Sequence, residues 1–192
     1  MILPVVDVPT IETWAPCHSA LVYEDPTFTG NALDVLNYAP TEMINRFWVM
    51  LRPAMVPDET VLHDFGVACV EQFTLTAEQQ TSLDIKKEWI LGNKTDAELD
   101  VVIDAEKANL VTIDQETVLA RSTFGSDYVG GTTDPTAINA ANLKQLAQQI
   151  LVMALDDDSR TASWGAVSTL LNGDVSYETW AKDKMIELIE NA

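Results

Sequence analysis

Cationic side chains are scarce: 11 Lys and Arg stand against 30 Asp and Glu in 192 residues, a formal net charge of −19. That balance opposes association with nucleic-acid phosphates and with anionic lipid, so neither a direct nucleic-acid partner nor a membrane partner is expected. The acidic residues are dispersed rather than arrayed in rows, as on a solvated surface that keeps a protein soluble; mimicry of a polyanion toward a basic partner is the sharper alternative. Histidine is limited to His18 and His63, which excludes a histidine-rich metal site. Cys17, His18, His63 and Cys69 contain no pair at the short chelating spacing of a structural zinc site. The two cysteines lie 52 positions apart in unlike contexts and fit free thiols in a reducing compartment. No apolar run reaches membrane-spanning length, and the opening MILPVVDVPT reads as neither anchor nor secretory leader. A soluble protein is expected, cytoplasmic when made, with a virion as a further location.

Catalytic signatures are equally thin. The chain carries no Gly-rich phosphate loop, nucleophile elbow or zinc-helix motif. Thirty carboxylates place some pair close in space in any fold, so their number does not define a glycosidase pair. Asp156-Asp157-Asp158 lacks the alternating ligands, turn glycine and terminal glutamate of a calcium loop, and reads as a cap and loop. No catalytic, cofactor-binding or metal-binding residue is assigned, no cofactor is expected, and the reading is non-enzymatic.

What is present is a helical protein with its own core. At 47% hydrophobic residues the chain needs no disulfide or metal staple, since a domain of this size buries about 70% of the surface its unfolded form exposes. The segment Leu83–Ala108 spells a helical hairpin. Ile85 and Trp89 make an apolar stripe, Gly92 supplies the left-handed stop, and Thr95 with Glu98 forms a capping box for the next helix. Leu99, Val102, Ile103 and Leu110 continue the spacing, while Val101-Val102-Ile103 is β-branched and argues against a long helix. A weaker copy appears 81 positions on, where Gly173 is followed by Ser176 and then Trp180, Met185, Ile186 and Ile189.

Other boundaries follow from local chemistry. Pro40 suits a first helical position ahead of Met43, Ile44, Phe47, Trp48 and Leu51; Asp58 suits a cap for the Val61–Phe73 segment; Thr76 and Gln79 make another capping box. Asp134-Pro135 opens a strongly apolar helix expected to lie at the centre of the core. Between Val111 and Thr133 the pattern fades, and Phe124–Gly131 reads as a flexible or functional loop.

Residues 1 to 45 contain no Lys or Arg and hold five of the eight prolines, Pro4, Pro9, Pro16, Pro26 and Pro40. Prolines at these intervals predict an extended, non-helical segment, and the aromatics among them give it more apolar surface than a disordered tail. The chain therefore divides into an extended N-terminal arm, residues 1–38, and a single α-helical domain, residues 39–192, a mainly α helical-hairpin bundle. The arm docks either on its own body or on a neighbouring subunit. Trp14, Tyr23, Phe28 and Tyr38 in the arm, and Phe124 and Tyr128 in the loop, are the candidate protein-interaction residues.

The segment from about Phe47 to Ala108, with Phe47-Trp48, Leu51-Arg52, Cys69, Glu71, Trp89, Gly92, Thr95, Glu98-Leu99 and Ala105, resembles a loose group of uncharacterised bacterial and phage helical proteins. Some of these are labelled immunity proteins of polymorphic-toxin systems. The likeness covers roughly a third of the chain and implies a helical architecture, without any catalytic residue to transfer. Relatives in that group continue in alanine-rich helical repeats, whereas this chain passes into Val111-Thr112-Ile113 and the glycine-rich stretch. Two functions are expected from these features. One is a phage virion-associated structural protein, oligomeric or bound to other virion proteins; the other is an acidic immunity or inhibitor protein.

Overall fold

The computed structural model describes residues 1–14, 27–52, 54–126 and 135–192, with side chains described outside 116–141. Among the described residues the chain is mainly α. The elements are β1 (Val6–Asp7), α1 (Val8–Glu12), β2 (Thr29–Gly30), α2 (Ala32–Asn37), α3 (Met43–Met50), α4 (Glu59–Val70), α5 (Ala77–Ile90), α6 (Asp96–Ser126), α7 (Pro135–Ala154), α8 (Ser159–Gly173), a short 3-10 turn (Val175–Tyr177) and α9 (Glu178–Asn191). β1 and β2 pair antiparallel, with Val6 opposite Gly30 and Asp7 opposite Thr29.

Helices α4 and α7 both stand at the centre of the core, packed against α8 and against each other. Helix α4 is apolar nearly all round: Val61, Leu62, Phe65, Val67, Ala68, Cys69 and Val70 are all buried, which is the pattern of a helix enclosed by others. It packs against α8, α7, α9 and α5. Gly66 permits the tightest of these crossings, because a Cβ there would sit 3.1 Å from the Ala162 carbonyl oxygen of α8. Phe65 stacks on Phe47 of α3 at 5.3 Å between ring centroids. Helix α7 contributes Ile150, Leu151, Ala154 and Leu155 from one side.

The α5–α6 hairpin is built as its sequence dictates. Gly92 adopts φ 76°, the left-handed conformation that suits glycine. The Glu98 amide donates to Thr95 Oγ1 at 3.3 Å and the Thr95 amide donates to Glu98 Oε2 at 3.0 Å, the two bonds of the capping box. Lys94 adds an ion pair to Glu98 at 2.7 Å. That hydrogen bond, with those from Thr95, holds the Glu98 carboxyl down at about 2. Thr76 and Gln79 cap α5 reciprocally in the same way.

Three expectations are corrected. The segment 1–38 is not uniformly extended: it contains α1 and α2. Asp7 accepts from the Thr10 amide and Pro9 lies in the first turn of α1, so the proline that seemed to forbid a helix opens one. Val6, Ile11, Ala32, Val35 and Leu36 from this segment join the same buried cluster as α4 and α8. Helix α3 begins at Met43, not at Pro40; the Arg46 guanidinium donates to the carbonyls of Leu36, Ala39 and Thr41 and ties the end of α2 to α3. Helix α6 runs on to Ser126, so Phe124 and Gly125 are helical, while Tyr128 and the rest of the glycine-rich stretch lie outside the described residues.

The second hairpin is also not a copy of the first. Asp174, and not Ser176, makes the cap, accepting from the Ser176 amide at 2.8 Å. At Gly173 a Cβ would lie 2.7 Å from a methyl of Leu146, so that side chain would have to turn aside.

Candidate functional site

Helix α5 turns a polar stripe inward. Its buried positions are Gln79, Ser82, Leu83 and Lys86, spaced three and four apart, whereas Ile85 and Trp89, the expected core stripe, are only half-buried at its margin. A polar side chain is stable there only if each donor and acceptor is matched. They are matched in two adjoining groups.

The first joins α5, α6 and α7. Glu106 of α6, 2% exposed, accepts from Ser82 Oγ at 2.5 Å on Oε1, and from Gln148 Nε2 at 2.7 Å and Asn109 Nδ2 at 3.1 Å on Oε2. Gln148 of α7 also donates to the Glu106 carbonyl and accepts from Gln79 Nε2 at 2.7 Å. Each amide of this relay is thus oriented by its neighbours, which fixes the register of three helices. Chemically the arrangement holds Ser82 between the Glu78 carbonyl and the Glu106 carboxylate, which braces the helices against each other. A cleft of about 290 Å³ opens over it, lined by Thr76, Glu78, Asn109, Thr112, Ile113 and Lys144, with Gln79 and Gln148 at its floor. Gln79 and Lys144 also border a second cleft of about 480 Å³, walled by Phe73, Leu143, Ala147 and Tyr177.

The second group surrounds Lys86, which is 0% exposed. Its Nζ donates to the carbonyls of Asp156 at 2.5 Å and Leu155 at 3.4 Å, at the end of α7, and lies 4.0 Å from the centroid of the Trp89 ring. Burial pushes its pKa down to about 8, while Asp156 and Asp157 act in the opposite sense. Trp89 donates from Nε1 to Asp96 Oδ1 at 2.9 Å, tying α5 to the start of α6, and meets the His63 ring edge to face at 5.0 Å. His63, on α4, is buried with Nδ1 unpartnered. Burial first, and the neighbouring Lys86 second, lower its pKa to about 4. The aspartate run closes this group as a cap, Asp158 accepting from the Thr161 amide at 2.6 Å.

The residues singled out from sequence are not brought into either group. Trp14, Phe28 and Tyr38 are half-buried and pack on the core cluster, with Phe28 and Tyr38 in edge contact at 5.3 Å. Tyr23 and Tyr128 lie outside the described residues, and the side chain of Phe124 is not described. Among the described residues, no group of three or more His, Cys, Asp or Glu could hold a metal ion. Likewise among the described residues, no helix is long and apolar enough to cross a membrane. Sequence reasoning missed Lys86, Glu106 and Gln148, although the i, i+3, i+7 spacing of Gln79, Ser82 and Lys86 was a signal that a polar stripe shared one face. No protein-family model, curated protein or solved structure matches the chain.

Proposed function

We propose that the protein works by protein–protein contact, as a structural assembly component of a phage particle. The observation that carries this reading is the first five residues. Ile2 is 92% exposed and Val5 66% exposed, although the next residue, Val6, is anchored in the core through β1. Apolar side chains held in solvent next to a fixed point gain most when a neighbour covers them. β1 pairs only with β2 among the described residues, so the two-stranded ribbon has a free edge on which such a contact can be extended. Among the described residues of the arm, Val6, Ile11, Ala32, Val35 and Leu36 are part of the body, and the tip at Ile2 and Val5 reaches outward.

The experiment is removal of residues 2–5 alone. The shortened protein keeps its helical circular dichroism but loses assembly, read by light scattering of the pure protein and by mass spectrometry of proteins retained from the native source. Unchanged assembly overturns the reading. The alternative, an acidic inhibitor of a toxin or defence enzyme, is favoured by the net charge of −19. It requires an association rate with a basic partner that falls steeply with added salt.

A further inference from the structure

In a chain with 30 carboxylates and 11 cations, each cation has many partners to choose from. Lys87 takes Glu71 at 2.6 Å, Lys94 takes Glu98 and Lys184 takes Glu187 at 2.9 Å. Arg46 is spent on three carbonyls and Lys86 on two. The side chains of Arg52 and Arg160 are left over, as are those of Lys107 and Lys182; what sets the two arginines apart is that they stand on elements packed against each other. Neither side chain makes a hydrogen bond or ion pair among the described residues. Arg52 follows the end of α3, and Arg160 occupies the first turn of α8, the helix against which α3 packs.

The Arg52 guanidinium carbon lies 3.8 Å from the centroid of the half-buried Trp48 ring. Stacking of this kind fixes the plane of the guanidinium, and the terminal Nη atoms are not among its buried, unpartnered atoms. The Nε donor is buried without an acceptor among the described residues, so the donors open to an outside ligand are the terminal Nη atoms. Burial and the adjacent Arg160 both lower the Arg52 pKa, and no carboxylate is among the charges acting on it. The carboxylate that does feel Arg160 is Asp158, and it is already committed to capping α8.

We propose that Arg52, stacked on Trp48, and Arg160 at the start of α8 form a receptor for a carboxylate carried by a partner protein. A planar carboxylate matches the donor fork with two parallel hydrogen bonds, and the ring beneath has already ordered the side chain. The second guanidinium and the positive end of α8 add charge of the same sign. A polymeric phosphate is the poorer occupant, because the field of a chain at −19 repels it at every other point of approach. The receptor does not depend on the phage assignment; it requires only that carboxylates be recognised at this place.

The test uses the full-length, 15N-labelled protein and follows the arginine Nε–Hε resonances during titration with sodium acetate, sodium phosphate and sodium chloride at matched ionic strength. Acetate shifts the Arg52 and Arg160 signals saturably, chloride does not, and phosphate acts more weakly. Arg52→Lys keeps the charge but loses the fork, and weakens acetate binding roughly tenfold as read on Arg160. Arg160→Gln weakens it as read on Arg52, and supplies the answer if Arg52→Lys fails to fold by circular dichroism. Equal shifts with chloride, a preference for phosphate, or an Arg52 signal unmoved by acetate would each overturn the proposal. None of these results bears on whether residues 2–5 drive assembly.

Discussion

Replacing Lys86 by methionine separates the cost of burying a charge from the benefit of the contacts it makes. The stem of the side chain is retained over Trp89, while the ammonium and its two hydrogen bonds to the Leu155 and Asp156 carbonyls are lost. In the folded protein the Lys86 pKa is about 8, against an ordinary value of 10.5. At neutral pH the charged form is therefore held inside at a cost of about 3 kcal/mol. That figure is already net of the contacts favouring the charged form; what the variant loses besides is the donor to the Leu155 and Asp156 carbonyls, roughly 1 to 3 kcal/mol. Near pH 7 the variant is thus close to the parent in stability. The sign of the pH dependence follows from the direction of the shift. Between about pH 8 and 10.5 the unfolded chain holds a proton that the folded chain has released, so the parent gains stability as pH rises through this window. The fully buried Cys69 thiol, raised by burial, acts oppositely above its ordinary pKa, but it does so in both proteins and cancels in their difference. Urea midpoints measured for both at pH 7, 8, 9 and 10 should show the parent-minus-variant difference moving by about 2 to 3 kcal/mol in favour of the parent. A difference that stays flat across this range would refute the placement of Lys86 as a buried cation.

Other outcomes are expected from the same packing. His63, with its folded pKa lowered to about 4 from 6.5, gives stability that is complete above pH 6.5 and lost as pH falls toward 4; His63→Gln removes that loss in thermal melts taken across the interval. Gln148→Leu leaves Gln79 Nε2 without its acceptor, takes from Glu106 Oε2 one of its two donors and from the Glu106 carbonyl its side-chain donor, and costs about 2 to 4 kcal/mol by chemical denaturation. Gly66→Ala presses a methyl against the Ala162 carbonyl, so α4 and α8 must part, and about 1 to 3 kcal/mol is lost without change in helix content.

Local chemistry was legible in the sequence and long-range pairing was not. The Thr95–Glu98 and Thr76–Gln79 boxes, the Gly92 stop and the Asp58 cap depend on residues within three or four positions, and each is present in the structure. Lys86 could not be read the same way, since its burial is permitted by carbonyls 69 and 70 positions away. The arm was misread because proline was weighed only as a breaker; with Asp7 as cap, Pro9 is compatible with the first turn of α1. The β-branched run in α6 argued against a long helix, yet packing of that helix along α7 and α5 outweighs the propensity of a few residues. The arm's candidate aromatics were chosen for standing among prolines, a criterion blind to the edge contact between Phe28 and Tyr38.

Cys69 lies fully buried near the end of the most enclosed helix of the bundle. Its sulfur is shielded, and burial keeps it in the thiol form, so alkylating reagents have neither access nor a thiolate to attack. In a Cys17→Ser background this makes it a natural clock for excursions of the interior. The rate at which iodoacetamide marks residue 69 measures how often α4 leaves its neighbours, and varying the reagent concentration tells whether opening or alkylation limits that rate.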